Sequence, residues 1–415
     1  MKFGLLGEHL GHSYSPRVHG LLHGEAYGLC EVPPENVEAF LAGTELDGLN
    51  VTIPYKRRVM GCCASLSETA RKVGCVNTLV RGPEGWRGYN TDYDGFRHLL
   101  MAGGLNPAGR KALVLGSGGA SLTARTVLKD LGAAEICVMT RHLPEHPSAE
   151  AGISYDTYDR AERHADAELI VNATPVGMYP GNGASPVDLG LFPACRGVAD
   201  VIYNPARTAL LMQAEERGIP WAGGLGMLVA QARRSAELWL GREIADRRVE
   251  EICGQLARET ENIVLIGMPG SGKTSIGERL RAETGRVLID TDEEVARMAG
   301  KPVPALILEE GEAAFRRLET LAIAEAGKQS GRIIATGGGC VTREENYPHL
   351  HQNGRIFWIR RDPALLPTEG RPLSQAESVR TLYERRKGQY ARFADRTVEN
   401  DSTVADAAAR VLERC

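Results

Sequence analysis

The sequence predicts an α/β fold built from more than one domain. Its 415 residues are enough for about three domains. Short apolar runs of strand length alternate with stretches of helical periodicity along the chain. Two glycine-rich turns, LGSGGAS at 115–121 and GMPGSGKT at 267–274, each follow an apolar strand and precede a helix. Because the two turns lie far apart in the sequence, we place them in different domains, each with its own phosphate-binding loop.

Composition limits the classes of partner that the chain can bind. Hydrophobic residues make up 43% of the chain and charged residues 25%, as in ordinary globular proteins. The formal net charge of −4 provides no excess of positive charge for a nucleic-acid backbone or an anionic membrane. The start MKFGLLGEHL lacks the pattern of a signal peptide, and no apolar run has the length of a bilayer. We therefore expect a cytoplasmic protein with small-molecule substrates and neither nucleic-acid nor membrane partners, while the sequence does not indicate an oligomeric state.

Histidine and cysteine spacing gives one weak indication of a metal site. The nine cysteines are scattered and form no C-x-x-C pair, so neither a zinc site nor a disulfide framework is indicated. His19 and His23 would share one face of a helix and form a metal-binding pair. No third ligand stands nearby in the sequence, so a solvated helix face is the favoured interpretation.

The first part of the chain is predicted to form two lobes. The runs FGLLG, GLNVTIP and GCVNTLV are typical of strands in an α/β lobe. A buried strand then enters the first glycine turn, TARTVLKDLG forms a helix closed by glycine, and EICVMTR forms the next strand. Two further strands, AELIVNATPVGM and GVADVIYNP, end in polar loops where a ligand can bind. We assign residues 1–101, together with about 223–258, to one lobe and residues 102–222 to a Rossmann-like lobe.

A second domain is predicted to begin near residue 260. The stretch MLVAQARRSAELWLG has helical periodicity, and EIADRRVEEICGQLARETEN has the pattern of a terminal helix followed by a short linker. A new strand, NIVLIG, starts at Asn262. Residues 262–415 then alternate the strands RVLIDTD, RIIATGGG and GRIFWIR with helices, which predicts a parallel sheet covered on both faces.

The second glycine turn predicts a phosphoryl-transfer site. GMPGSGKT fits G-x-x-x-x-G-K-[ST] in the strand–loop–helix setting that this motif requires. Its glycines let backbone N–H groups face phosphate oxygens, Lys273 reaches the terminal phosphates, and the Thr274 hydroxyl can ligate Mg²⁺. Asp290 and Asp292 follow the next strand, and in extended chain they would point to the same side. One could orient a magnesium-bound water and the other an acceptor hydroxyl, but helix capping explains such a pair equally well.

The first glycine turn predicts a dinucleotide site. GSGGAS matches the first two glycines of G-x-G-x-x-[GA], with Ser121 at the third place. About 20 residues further on, where an NAD-binding fold usually has an acid for the ribose, the sequence reads MTRH and has Arg141. A guanidinium suits a 2′-phosphate, so this pattern favours NADP(H).

Polar loops of the first lobe predict a site for a small polyhydroxylated acid. HSYSP, LNVTIPYK, GCVNTL and YNTDYDGF place hydroxyls, amides, one lysine and aspartates at strand ends. Taken singly, each has an ordinary structural explanation, since YKRR is typical of a solvated basic turn and Asp92 or Asp94 can cap a helix.

With NATPVGM, ADVIYNP and GGLGMLVAQA, these motifs strongly resemble shikimate dehydrogenase over residues 1 to about 255. The resemblance implies that Lys56 and Asp92 form the catalytic pair, in which the lysine supplies a cation and a proton to the alkoxide left by hydride transfer. It also implies that Ser13 and Ser15 bind the substrate carboxylate. The residues that would bind the ring or its hydroxyls are Thr52, Asn77, Tyr203 and Gln231. The residues that would contact NADP(H) are Gly116, Ser117, Gly118, Gly119, Ala120, Thr140, Arg141 and Gly224.

The motifs GMPGSGKTS, DTD, GEAAFRRLE, TGGG, GRPLS and RRKGQY resemble shikimate kinase in order and spacing across residues 262–415. The resemblance implies that Lys273 and Arg371 offset the charge of the transferred phosphoryl group, with Arg371 in a lid that closes on ATP. Thr274 and Asp290 would hold Mg²⁺. The residues that would contact ATP are Gly267, Gly270, Ser271, Gly272, Lys273, Thr274, Ser275 and Arg371. The residues that would hold shikimate are Asp292, Arg316, Gly338, Gly339 and Arg386.

The sequence therefore predicts a two-lobed dehydrogenase with a Rossmann-like NADP lobe, followed by a P-loop kinase domain with a parallel sheet. We expect a bifunctional enzyme of aromatic biosynthesis that uses NADP(H), ATP and Mg²⁺. One alternative is a quinate/shikimate dehydrogenase that uses NAD and is fused to a kinase. The other is a regulator that binds these ligands without turnover, against which the presence of Lys56, Asp92, Lys273 and Thr274 argues.

Overall fold

A computed structural model describes residues 1–11, 13–143, 152–366 and 378–415 of the chain. The chain divides into two compact units, Met1–Gln255 and Leu256–Cys415. Both are α/β, as the sequence predicts. Within the described residues, no helix is both long enough and apolar enough to cross a membrane.

The first lobe of unit 1 contains a mixed six-stranded sheet. Its strand order is β2-β1-β3-β5-β6-β4, with β5 antiparallel to both of its neighbours and the other pairs parallel. The strands are β1 (Lys2–Gly7), β2 (Ala26–Glu31), β3 (Gly48–Val51), β4 (Cys63–Leu66), β5 (Thr78–Gly82) and β6 (Gly85–Tyr89). The helices are α1 (Ser15–Leu22), α2 (Val37–Gly43), α3 (Glu68–Val73) and α4 (Asp92–Ala102).

The second lobe contains a six-stranded sheet whose strands are all parallel. Its order is β12-β11-β10-β7-β8-β9, so the order reverses between β7 and β10, where ligands bind in such sheets. The elements are β7 (Lys111–Leu115), α5 (Gly119–Asp130), β8 (Glu135–Thr140), β9 (Ile153–Thr157), β10 (Leu169–Asn172), β11 (Gly197–Asp200), α6 (Ala209–Glu216) and β12 (Trp221–Ala222). Two helices follow, α7 (Leu225–Leu240), which packs on α4, and α8 (Arg247–Thr260).

Unit 2 contains a five-stranded parallel sheet with the order β14-β15-β13-β16-β17. Its strands are β13 (Asn262–Ile266), β14 (Leu288–Asp290), β15 (Ile333–Ala335), β16 (Gly354–Arg360) and β17 (Arg396–Glu399). Its helices are α9 (Lys273–Thr284), α10 (Thr291–Ala299), α11 (Val303–Glu310), α12 (Glu312–Lys328), α13 (Asn346–His351), α14 (Val379–Phe393) and α15 (Val404–Leu412). Short 3₁₀ helices occur in the two units at Pro34–Asn36, Arg58–Cys62, Tyr158–His164, Leu189–Leu191, Cys340–Thr342 and Pro363–Leu365.

Burial on both faces explains the continuous apolar strands. In β7, Val114 packs into the core beneath α4 and α5, whereas Leu113 packs into the core beneath α6. In β13, Ile263 and Val264 likewise enter cores on opposite faces of the sheet, and Leu265 joins the same core as Ile263. A strand covered on both faces has no polar side to alternate with, so the sequence shows a run rather than a period of two.

Among the differences from the sequence prediction, three concern the second domain and its start. The predicted short linker before the second domain is reduced to one residue, because α8 continues to Thr260 and β13 begins at Asn262. The prediction that Asp290 and Asp292 share one side of an extended chain is wrong, because α10 begins at Thr291. The sequence pattern does not predict β17, since its four residues, RTVE, lack an apolar run.

Candidate active sites

The predicted catalytic pair of unit 1 is an ion pair. Lys56 lies in the turn after β3, and Asp92 is the first residue of α4. The Lys56 Nζ donates to the Asp92 Oδ2 at 2.6 Å, and both side chains are largely buried. Burial disfavours the ammonium, but the charge and hydrogen bond of Asp92 outweigh that effect and raise the pKa of Lys56 above its usual value. The lysine is therefore a fixed, protonated cation at neutral pH.

The glycine turn of the second lobe reaches this pair. A Cβ built on Gly119, the first residue of α5, would lie 4.0 Å from the Lys56 Cδ. Gly116 has a φ of 97°, and a Cβ there would lie 2.8 Å from the Thr174 Cγ2, so this turn requires glycine. Gly118 is the N-cap of α5 and Ala120 its second residue. The predicted dinucleotide turn and the predicted catalytic lysine are thus adjacent.

Most of the other predicted NADP residues lie around the same turn. The hydroxyls of Ser117 and Thr140 form a hydrogen bond at 3.4 Å, and this bond connects the turn to the end of β8. Arg141 follows directly and is exposed. Burial raises the pKa of Tyr158, and a hydrogen bond with the backbone of Gly116 and the charge of Arg141 oppose that effect. Gly224 is placed differently, as the N-cap of α7.

The predicted carboxylate-binding serines lie at the start of α1. The backbone N–H of Ser15 donates to the Ser13 Oγ at 3.2 Å. The ring of Tyr14, between them, lies 5.1 Å from the ring of Tyr203. The backbone N–H of Thr52 donates to the Leu6 carbonyl at 2.9 Å, which places the turn that carries the catalytic lysine beside the end of β1.

Asn77 and Gln231, the predicted ring-binding amides, are joined by buried hydroxyls that the sequence prediction missed. We call Thr78, Thr91 and Ser235 the hydroxyl cluster: their Oγ atoms lie 2.8 to 3.1 Å from one another. The Asn77 Nδ2 donates to the Thr91 Oγ1 at 3.0 Å, and the Thr91 Oγ1 donates to the Gln231 Oε1 at 3.4 Å. The cluster is assembled from segments that are distant in the sequence, so no local pattern indicates it.

His19 and His23 belong to the same network rather than to a metal site. His19 is fully buried, and its Nε2 lies 2.9 Å from the Asn50 Oδ1, while its Nδ1 lies 3.1 Å from the His23 Nε2. Burial, reinforced by the charge of His23, lowers the pKa of His19 to about 3. The predicted solvated helix face is therefore wrong for His19. The described residues contain no cluster of three or more potential metal ligands.

The glycine loop of unit 2 lies between a strand and a helix, as its motif predicts. Gly267, with a φ of 148°, starts the loop, and Gly272 is the N-cap of α9. The Lys273 Nζ donates to the carbonyls of Gly267 and Met268 at 2.9 and 3.1 Å. The remaining predicted ATP residues of this segment are Gly270, which has a φ of 82°, Ser271, and Thr274 and Ser275, which lie in the first turn of α9.

Asn400 supports this loop and was missed by the sequence prediction. It follows β17, and its Nδ2 donates to the Ser271 carbonyl at 2.7 Å. A Cβ built on Gly272 would lie 2.6 Å from the same Nδ2, so glycine is required where the amide approaches the loop. Asn400 thereby fixes the loop from the edge strand of the sheet.

Asp290 links the loop to the next strand. The Thr274 Oγ1 donates to the Asp290 Oδ2 at 2.9 Å, and the Asp292 backbone N–H donates to the Asp290 Oδ1 at 3.0 Å. Asp290 thus caps α10 and also holds the threonine predicted to ligate Mg²⁺. Hydroxyl and carboxylate oxygens side by side are a donor set that suits Mg²⁺.

The predicted acceptor-binding residues surround the turn after β15. The Arg386 Nη1 donates to the Gly338 carbonyl at 3.1 Å, and Gly339 lies directly against the Arg316 guanidinium. Burial and the neighbouring Asp290 raise the pKa of Asp292, and the charges of Lys273 and Arg316 oppose that effect. Arg371, the predicted lid residue, lies outside the described residues.

Glu319 is a further charged residue here that the sequence prediction missed. It is fully buried in α12, and its Oε2 accepts from the Arg316 Nη1 at 2.6 Å. No donor to its Oε1 is found among the described residues. The i, i+3 spacing of Arg316 and Glu319 in FRRLE was the available indication, but this spacing is also common on exposed helix faces.

Both units are similar to proteins of known families. The family model described as shikimate dehydrogenase substrate binding domain matches residues 5–79, and the model described as shikimate kinase matches residues 269–415. The shikimate dehydrogenase (NADP(+)) of Clostridium beijerinckii is 35% identical over 246 residues, which are 57% of this chain and 91% of that protein.

Solved structures resemble the first part of the chain. A chorismate mutase/shikimate 5-dehydrogenase fusion protein from Clostridium acetobutylicum is 40% identical with a TM-score of 0.58, covering 61% of this chain and 96% of that one. Shikimate 5-dehydrogenase from Thermus thermophilus, in complex with NADP(H) and shikimate, is 32% identical with a TM-score of 0.56, covering 61% of this chain and 99% of that one.

Proposed function

Because the chain belongs to the shikimate dehydrogenase family and carries a shikimate kinase domain, we propose that it catalyses two consecutive reactions. Unit 1 reduces 3-dehydroshikimate to shikimate with NADPH, and unit 2 phosphorylates the 3-hydroxyl of shikimate with ATP and Mg²⁺. The proposal rests on one polar site in each unit. In unit 1 it is the Lys56–Asp92 ion pair, and in unit 2 it is the loop that contains Lys273 together with the turn at Gly338.

In the first reaction, Lys56 is proposed to act as the acid. NADPH, when bound, supplies the hydride, and the ketone oxygen becomes an alkoxide that requires a proton. The Lys56 ammonium stabilises the developing negative charge and donates that proton, while Asp92 holds the lysine in place. The carboxylate of the substrate is bound by Ser13 and Ser15, and its ring and hydroxyls are bound by Thr52, Asn77, Tyr203 and Gln231.

The glycine turn and Arg141 support the choice of NADP(H). The turn approaches Lys56 closely enough to bring a nicotinamide near the substrate, and its helix N-terminus faces the pyrophosphate in this kind of fold. The exposed Arg141 guanidinium stands at the end of β8, where the ribose 2′-phosphate is recognised. A preference for NADH over NADPH would instead support a quinate/shikimate dehydrogenase.

In the second reaction, the protein positions groups and offsets charge rather than forming covalent intermediates. Lys273 would reach the terminal phosphates of ATP, and Thr274 and Asp290 would hold Mg²⁺, which would offset the charge of those phosphates. Asp292 orients the acceptor hydroxyl. The carboxylate of shikimate is bound by the guanidinium groups of Arg316 and Arg386. A further positive charge over ATP is proposed to come from Arg371.

One assay tests both reactions. 3-Dehydroshikimate, NADPH, MgCl₂ and ATP are incubated with the full chain while NADPH absorbance is followed and products are identified by mass spectrometry. We expect shikimate 3-phosphate with stoichiometric loss of NADPH. Omission of ATP should stop the sequence at shikimate, and omission of NADPH should leave 3-dehydroshikimate unchanged. If shikimate accumulates in the complete mixture, the kinase proposal fails, and if ligands bind without any turnover, the chain is a regulator.

A further inference from the structure

The orientation of the hydroxyl cluster is set by Asn50. The Asn50 Oδ1 accepts from the Tyr27 hydroxyl at 2.9 Å and lies 2.9 Å from the His19 Nε2. With two partners on its oxygen, Asn50 must direct its Nδ2 the other way, where it donates to Ser235 at 2.9 Å and Thr78 at 3.2 Å. Asn50 therefore presents donors, not acceptors, to the cluster.

The state of His19 is defined by the same contacts. Burial lowers the pKa of His19 to about 3, so the ring is neutral and carries a single N–H. Because Asn50 offers an oxygen, that N–H is on Nε2, and Nδ1 accepts from the Nε2 of His23. The His23 Nδ1 in turn accepts from the Glu25 backbone N–H at 3.1 Å. Each donor in this series, from the Glu25 N–H to the His19 Nε2–H, has one acceptor. A flipped Asn50 would turn its Nδ2 donor toward the His19 N–H, so the two orientations of Asn50 are not interchangeable.

The cluster transmits this orientation to the two amides. The Asn77 Oδ1 accepts from the Thr91 backbone N–H at 2.7 Å and from the Thr78 hydroxyl at 3.2 Å. Asn77 is thereby held on two sides, and Gln231 shares the Thr91 hydroxyl with it. Every member of the cluster is at most 1% exposed, so water does not replace a lost partner.

We propose that His19, Asn50 and the hydroxyl cluster are positioning residues that hold the Asn77 and Gln231 amides in the orientation that binds substrate. This inference rests on the proposed dehydrogenase function. It assigns a role to side chains that act through the two amides rather than on the substrate. An uncharged network suits this role, because it fixes the two amides without adding another charged group to a site that already contains the Lys56–Asp92 ion pair.

The test uses Thr78, where two substitutions separate the hydroxyl from the shape of the side chain. Thr78→Val removes only the hydroxyl and keeps a β-branched residue in β5, whereas Thr78→Ser keeps the hydroxyl. We expect Thr78→Val to raise the KM for 3-dehydroshikimate about five- to tenfold, with kcat and the KM for NADPH within about twofold of wild type. Thr78→Ser should keep the wild-type KM. Ser235→Ala should act in the same direction as Thr78→Val.

A matched control is Thr126→Val in α5, which removes a hydroxyl that donates to the carbonyl four residues earlier, as Ser235 does in α7. Thr126 lies outside the cluster, so the KM should not change. An unchanged KM in both Thr78→Val and Ser235→Ala, with active wild type, overturns the inference while the proposed function stands. A lower kcat at constant KM shows loss of folded enzyme and overturns it as well. If wild type does not reduce 3-dehydroshikimate, the proposed function itself fails.

Discussion

The two candidate sites hold their proposed substrate-binding groups in opposite ways. In unit 1, the amides of Asn77 and Gln231 form hydrogen bonds with the uncharged hydroxyl of Thr91, and Asp92 of the ion pair directly follows Thr91 in the chain. In unit 2, the turn at Gly338 and Gly339 lies against the guanidinium groups of Arg386 and Arg316, and the buried Glu319 pairs with Arg316. Removing one member of an uncharged network leaves buried polar groups without a partner, whereas removing one member of an ionic network leaves a buried charge without its partner. The two sites should therefore tolerate substitution differently.

The nucleotide loops show a related difference. Both loops precede a helix, and both contain a glycine in a conformation that other residues rarely adopt. This glycine is Gly116 in the first unit and Gly267 in the second. The second loop adds Lys273 as the first residue of α9, while α5 starts with Gly119 and has no basic residue in its first turn. In the proposed function, the first loop would thus bind phosphate through backbone N–H groups, and the second would add the Lys273 cation, as phosphoryl transfer requires.

The largest expected effect is the separation of the two activities by their lysines. Lys56→Ala should lower the rate of ketone reduction by about 10²- to 10⁴-fold, because it removes both the proton donor and the cation. It should leave phosphorylation of added shikimate unchanged. Lys273→Ala should do the converse, with a loss of about 10²- to 10³-fold in the kinase assay. Each assay is run separately on both variants, and loss of both activities in either variant would contradict the division of labour.

A second effect concerns the pH dependence of reduction. Asp92 raises the pKa of Lys56 against the opposing effect of burial. Asp92→Asn removes that contribution and leaves burial, so the pKa of Lys56 should fall and the lysine should lose its proton at lower pH. We expect reduction to decline about 10²-fold at neutral pH and its alkaline limit to move down by at least about one pH unit. The measurement is the pH profile of kcat/KM, with Asp94→Asn, the neighbouring acid in α4, as the control that keeps the wild-type profile.

A third effect tests the ionic support of the acceptor site. Glu319→Gln preserves the shape of a fully buried side chain but removes the charge opposite Arg316. The KM for shikimate in the kinase assay should rise about tenfold, because an unbalanced guanidinium no longer holds its place, while the KM for ATP stays unchanged. Glu312→Gln is the matched control, since Glu312 contacts the same guanidinium at 3.1 Å but is half exposed. If the two substitutions raised the KM for shikimate equally, the burial of Glu319 would not be the reason for its effect on shikimate binding.

The sequence is informative wherever the chemistry is local. Consecutive residues predict the loop from Gly267 to Thr274 and the strand–turn–helix at Gly116, and both occur. Residues whose contacts lie far apart in the sequence are missed. Ser235 contacts Asn50, which is 185 residues away in the sequence, and no periodic pattern predicts such a contact. The same holds for Asn400, which contacts the phosphate-binding loop across 129 positions.

His19 shows why residue type alone misleads. A histidine pair at helical spacing predicts a metal site or a solvated face, because histidine is polar. In the structure, the ring of His19 stacks on Tyr27 with centroids 4.3 Å apart and also lies beside Trp239, so aromatic rings enclose it. The burial of His19 depends on a strand and a helix outside its own segment, and therefore could not be predicted from its neighbours in the sequence.

The smallest expected effect lies where the two lobes of unit 1 meet. Asp130, the last residue of α5, pairs with Lys72 of α3 and accepts from the Tyr93 hydroxyl at 2.8 Å. These side chains are partly exposed, and such ion pairs contribute little. Asp130 also lies at the opposite end of α5 from the glycine turn. Asp130→Asn should therefore raise the KM for NADPH by only about twofold, and phosphorylation should not change.

Spectroscopy gives this last substitution a sharper readout than kinetics. Burial, together with the hydrogen bond and charge of Asp130, raises the pKa of Tyr93 to about 12. Replacing the carboxylate with an amide removes the charge that opposes formation of the phenolate, so the pKa of Tyr93 should fall. Ultraviolet titration of tyrosinate measures it, and Tyr93→Phe identifies the signal. If the titration in Asp130→Asn matches wild type, Asp130 does not govern the pKa of Tyr93.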